Sequence, residues 1–132
     1  MSQAVAMTAK SSLSNRSVDG TQTTTHIHSS ERAAFAAYSR KFGLDPAGLL
    51  ALLLVREMRV GRLGSLMKED VPHPGPRRSK VTVHGRHSAL RDGIVVMAAA
   101  NGTSVSNACA VLIRAELTEG WLERVIATRF ES

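Results

Sequence analysis

The chain is short of the residues on which several functions depend. It holds one cysteine, Cys109, so no disulfide can form within it, and a reducing compartment fits. Its aromatics, Phe35, Tyr38, Phe42, Trp121 and Phe130, are too few and too helix-bound to stack single-stranded bases. The longest apolar run, Leu49 to Val55, falls far below the roughly 20 residues that span a bilayer. Residues 1–20 lack the continuous apolar stretch of a secretory signal. No acid, base and nucleophile constellation and no phosphate-binding glycine loop is visible, so neither an enzyme, a cofactor nor a small-molecule substrate is expected. The expected location is cytoplasmic and nucleoid-associated.

Histidines are the one candidate for metal. His26 and His28 can share a strand face, with His84 and His87 near the matching place further on. No cysteine or aspartate accompanies them and the spacing matches no common zinc finger, so the expectation is polar, groove-facing or solvated histidines and no metal. Cys109 lies in an apolar helical pattern and reads as a small buried hydrophobe.

Acids are also outnumbered. Seventeen Lys and Arg against eleven Asp and Glu leave a net charge of +6, spread over both halves, and the pI is near 10.4. Such a balance points to an anionic partner such as nucleic acid.

What the chain does have is a repeat. An offset of 59 lays Ser29 to Leu63 over Ser88 to Leu122 without a gap, with eight identities in 35 positions. Arg32 meets Arg91, Gly43 meets Gly102, Glu57 meets Glu116, Gly61 meets Gly120 and Leu63 meets Leu122. Apolar character coincides too, Phe35 with Ile94 and Leu54 with Ile113, so function belongs to a duplicated unit. The recurring Glu57 and Glu116 suggest a shared structural role, such as pairing with a basic helix neighbour.

Along the chain, residues 1–20 show no period and read as a disordered arm. Thr21 to His28 is rich in β-branched residues and supports a strand; Ser29 or Ser30 then caps a helix that stops at Gly43. Asp45 and Pro46 open a second helix to about Val60. It is apolar almost all round, which predicts the centre of an intrachain or interchain bundle. Arg56, Arg59 and Arg62 beyond its apolar run fit a solvated helix end or a flank for DNA. Residues 61–79, with Pro72, Pro74 and Pro76, read as a connector. Lys80 to Gly85 alternates cleanly as a second strand, Val81 and Val83 on one face, Lys80, Thr82 and His84 on the other. A helix to Asn101 follows, then a last one capped by Ser104 from Val105 to about Thr128.

Each half is thus a strand, a helix, a glycine turn and a longer apolar helix. A single unit cannot bury that helix, but two units with antiparallel strands can cover a four-helix core. The pattern resembles the ribbon-helix-helix superfamily of the Arc and MetJ repressors, with Gly102-Thr103-Ser104-Val105-Ser106 similar to its inter-helix turn. The expected fold is mostly α with a short two-stranded antiparallel ribbon, a pseudo-twofold tandem of two units at 21–63 and 79–128. A linker at 64–78 joins them and a tail at 129–132 ends the chain.

The resemblance implies that outward ribbon side chains read bases in the major groove and that the second helix's N-terminus holds a phosphate. Carried onto this sequence, the base readers are Lys80, Thr82 and His84 and, with Ile27 aligned to Val83, Thr24, His26 and His28. That register requires three extra residues after the second strand. Phosphate contacts are expected from Thr103, Ser104 and Ser106, and from Arg77, Arg78 and Arg86 in the acid-free run 77–86. In the first unit Asp45 and Pro46 disfavour the same grip.

The implied function is a bacterial-type, sequence-specific binder of double-stranded DNA, most simply a transcriptional regulator such as a repressor, reading an imperfect palindrome or an asymmetric site. An accessory factor at a plasmid or mobile-element transfer or partition origin shares this chemistry. A protein-binding, antiactivator-like module that has lost DNA contact is the reading from another class. The connector is long enough for the units to pair within one chain or to swap between two in a homodimer.

Overall fold

The computed structural model describes residues 22–84 and 88–131. Two strands, β1 (Gln22–Ile27) and β2 (Ser79–His84), pair antiparallel as one two-stranded sheet. Each is followed by three helices: α1 (Ser29–Arg40), α2 (Pro46–Val60) and α3 (Leu63–Glu69) after β1; α4 (Ser88–Ala100), α5 (Val105–Glu119) and α6 (Trp121–Glu131) after β2. The chain is mostly helical, and its own two strands pair with each other. Among the described residues no single helix is long and apolar enough to cross a membrane.

The strands alternate because their inward side chains form the lid of the core. Thr23, Thr25, Ile27, Val81 and Val83 are buried, while Lys80, His26 and His84 are exposed. β1 packs along α5 and β2 along α2, so each strand covers the long helix of the other half. That exchange explains why neither half closes a core alone. Phe35 and Ile94, one from each first helix, are fully buried with Leu49, Leu50 and Leu54 of α2 and Ile113 of α5. Each such side chain contributes on the order of 1.5–3 kcal/mol.

Helix ends follow local chemistry. Asp45 accepts the amide of Gly48 at 2.7 Å with Pro46 behind it, and Ser104 accepts the amide of Asn107 at 3.0 Å. Gly43, Gly61, Gly102 and Gly120 all hold positive φ between 63° and 71°, so the repeat places its glycines where the backbone turns left-handed.

Several expectations are corrected. The connector at 61–79 carries α3, and the last helix is two, broken at Gly120 (φ 63°) into α5 and α6, the latter running through most of the expected tail. One cause serves both: Glu57 accepts the amide of Leu63 at 2.5 Å, and Glu116 accepts that of Leu122 at 2.8 Å. The recurring glutamates therefore cap the third helix of each half instead of pairing with a basic neighbour. The first helix is capped by His28 and not by a serine, as its Nδ1 accepts the amide of Ser30 at 3.1 Å while Glu31 takes the His28 amide. The expected arm at 1–20 lies outside the described residues.

Candidate nucleic-acid interface

The outward face of the ribbon consists of three cross-strand pairs: Gln22 with His84, Thr24 with Thr82, and His26 with Lys80. It carries amide, hydroxyl, imidazole and ammonium groups and no carboxylate. The central threonines share a hydrogen bond of 3.0 Å, and the Gln22 amide donates to Nδ1 of His84 at 3.3 Å.

This register differs from the expected one by two residues. Thr24, and not His26, is the counterpart of Thr82 and stands opposite it, so the outward set of β1 is Gln22, Thr24 and His26. One extra residue, where three were expected, separates strand from helix in the second half. A slip of two keeps every side chain on its face and changes only its partner. His28 consequently leaves the ribbon: besides capping α1, its ring stacks on His73 at 3.6 Å between centroids. Gln22 was missed because the threonine run alone fixes no register.

Two arginines settle the pairing from the helices. Arg32 Nε donates to the Lys80 carbonyl at 3.0 Å, and Arg91 Nε donates to the Gln22 carbonyl at 3.0 Å. Matching residues of α1 and α4 thus hold matching points at the two ends of the ribbon. The identity of Arg32 and Arg91 in the repeat was the available signal.

The N-terminus of α5 is tied to the ribbon. Ser106 Oγ accepts the His26 amide at 3.2 Å, and its carbonyl accepts the Thr25 hydroxyl at 2.6 Å. Thr103 Oγ1 accepts from the Asn107 side chain at 2.8 Å, and Ser104 caps. Each of these three hydroxyl oxygens accepts a bond within the protein and keeps its own O–H to donate, so Thr103, Ser104 and Ser106 retain anion-binding chemistry beside the amides that open α5. At the matching places the first half has Asp45, Pro46 and Ala47. Arg77 and Arg78 are exposed immediately before β2; Arg86 lies outside the described residues, as does His87.

Elsewhere, Arg56 lies over the Trp121 ring at 4.4 Å and Arg62 makes two bonds to Glu119, so both make contacts within the fold. Cys109 is buried, and burial pushes its thiol up to about 12, which leaves no thiolate for chemistry. His26 and His84 sit at opposite ends of the ribbon. Among the described residues no three His, Cys, Asp or Glu are grouped to hold a metal ion.

Comparison of the chain with protein-family models, with curated proteins and with solved structures finds no match.

Proposed function

We propose that the protein is a tandem ribbon-helix-helix DNA-binding protein that inserts its two-stranded ribbon into the major groove and acts as a transcriptional regulator. The observation that carries this reading is the outward ribbon face, six hydrogen-bonding side chains in register with no acid among them. A two-stranded ribbon fits the major groove, where Lys pairs with guanine, Gln with adenine and Thr with either. The net charge of +6 supplies the nonspecific attraction. The α5 N-terminus, tied to the edge of β1, and exposed Arg77 and Arg78 beside β2 flank that face where a phosphate backbone would run.

The test is capture of genomic fragments by the purified full chain, with the top fragment titrated at two salt concentrations. Enrichment of one motif is expected, with a salt slope growing by roughly 0.9 per phosphate neutralised. Its position at promoters supports a regulator; clustering at a transfer or partition origin assigns the accessory role instead. Weak, motif-free binding that vanishes with salt overturns the reading and favours a protein-binding module.

A further inference from the structure

The ribbon register makes the two halves far more alike on their reading face than their sequences are, and it isolates one difference. The twofold relation is fixed by backbone contacts: Arg32 holds the Lys80 carbonyl and Arg91 holds the Gln22 carbonyl, both at 3.0 Å. Since Arg32 and Arg91 correspond in the repeat, Gln22 and Lys80 occupy equivalent places. Thr24 then corresponds to Thr82, its partner across the centre, and His26 corresponds to His84. Outward side chains are therefore identical in the two halves at two of three positions, and the remaining position holds glutamine on one side and lysine on the other.

Those two side chains ask for different bases. A glutamine amide presents one acceptor and one donor side by side, which complements N6 and N7 of adenine. A lysine ammonium presents only donors, which complements O6 and N7 of guanine. Gln22 is also oriented: one of its N–H groups is directed to Nδ1 of His84 at 3.3 Å, leaving the carbonyl oxygen and the second N–H for a base. Lys80 is exposed opposite His26.

We infer that the protein's DNA site is a near-palindrome centred on the Thr24–Thr82 pair, its half-sites differing at one position, adenine under Gln22 and guanine under Lys80. This rests on the DNA-binding reading proposed above. It narrows that reading, because the two histidines and two threonines ask for the same bases in both halves. It also gives the complex a direction: a single chain lies on its site one way round.

Selection from a random duplex library tests it with four full-length proteins: wild type, Gln22→Lys, Lys80→Gln and the double exchange Q22K/K80Q. Both positions lie on the outward face, so thermal unfolding of each variant should match wild type and certify its fold. Wild type should enrich the asymmetric near-palindrome. Gln22→Lys should enrich a symmetric site with guanine in both halves, Lys80→Gln one with adenine in both, and the double exchange should restore the wild-type motif. Each single variant should prefer its own site over the wild-type site by about 5-fold to 150-fold. A wild-type motif that persists unchanged in both single variants overturns the inference while leaving DNA binding intact. A fully symmetric wild-type motif overturns it as well. Absence of any motif from wild type overturns the DNA-binding reading itself.

Discussion

The two halves share an order of elements and a set of glycines, yet their long helices end in opposite surroundings. On α5, Val111 and Arg114 are buried beneath α3 and the segment that follows it. At the matching places on α2, Leu52 and Val55 are 42% and 45% exposed. The difference follows from connectivity. The chain leaving the first half must cross to β2, and it crosses over α5, where Asp70 grips Arg114 at 2.7 and 2.8 Å and Glu31 adds a third contact at 3.4 Å. His73 extends this strap by donating its amide to Glu31 and stacking on His28. The two halves thus share the core and the outward face of the ribbon, while their outer faces differ where the chain crosses.

The repeated glutamates give the largest expected contrast. Glu116 is buried and accepts the Tyr38 hydroxyl at 2.6 Å as well as the Leu122 amide. Burial, and then that bond, hold the Tyr38 hydroxyl well above its ordinary range, so it stays a donor. Glu57 serves the Leu63 amide. Glu116→Ala strands several buried donors and should cost about 3–5 kcal/mol, against about 1–3 kcal/mol for Glu57→Ala. Urea unfolding of both variants measures this, and equal losses would mean that the two caps are energetically equivalent.

Exchange of counterparts on the outer faces comes next. Arg114→Val installs the residue found at the matching position, Val55, and leaves Asp70 and Glu31 partly buried without their cation. A loss of about 2–4 kcal/mol is expected, with faster amide exchange across α3 and the strap. The reverse change, Val55→Arg, falls on an open face and should alter stability by less than about 0.5 kcal/mol. If Val55→Arg proved as costly as Arg114→Val, the α2 face would have to be covered in solution.

Much of this was legible in the sequence, and the failures have physical causes. The alternation of Lys80 to His84 announced which face of β2 is buried, and Asp45-Pro46 and Ser104 announced two helix starts, because these signals act within a few residues. The register of β1 did not, since three consecutive threonines suit either face and the pairing is decided by Arg32 and Arg91 from another element. Helix α3 was read as connector because Pro72, Pro74 and Pro76 suggest loop; the matched Gly61/Gly120 and Leu63/Leu122 carried the signal of a third helix in each half. Arg114 was invisible as a core residue, because a buried guanidinium is tolerable only when acids distant in sequence, here Asp70 and Glu31, arrive to pair it. His28 was placed on the ribbon because its capping role depends on Ser30 and Glu31 together, not on its own strand alternation.

The smallest expected effect concerns the join between the halves. Arg62 meets Glu119 with two bonds, 3.1 and 2.8 Å, whereas the equivalent places hold Trp121 and Val60, and Trp121 takes the Arg56 guanidinium on its face. One side of the junction is thus joined by an ion pair and the other by a cation over a ring. The bonds from Arg62 lower the Glu119 carboxyl from its ordinary range, and Glu119 in turn raises Arg62. A carboxylate depressed in the folded state adds stability that is present above its unfolded value, about 4.3, and is lost as pH falls through the folded one. Both side chains are about one-third exposed, so solvent screens the pair and Glu119→Val should cost less than about 1 kcal/mol near neutral pH. Urea unfolding of wild type and variant at about pH 7 and about pH 3.5 should show that gap shrinking with acid. A gap that stays constant would assign the loss to packing around Glu119 and leave the ion pair without a part in holding the halves together.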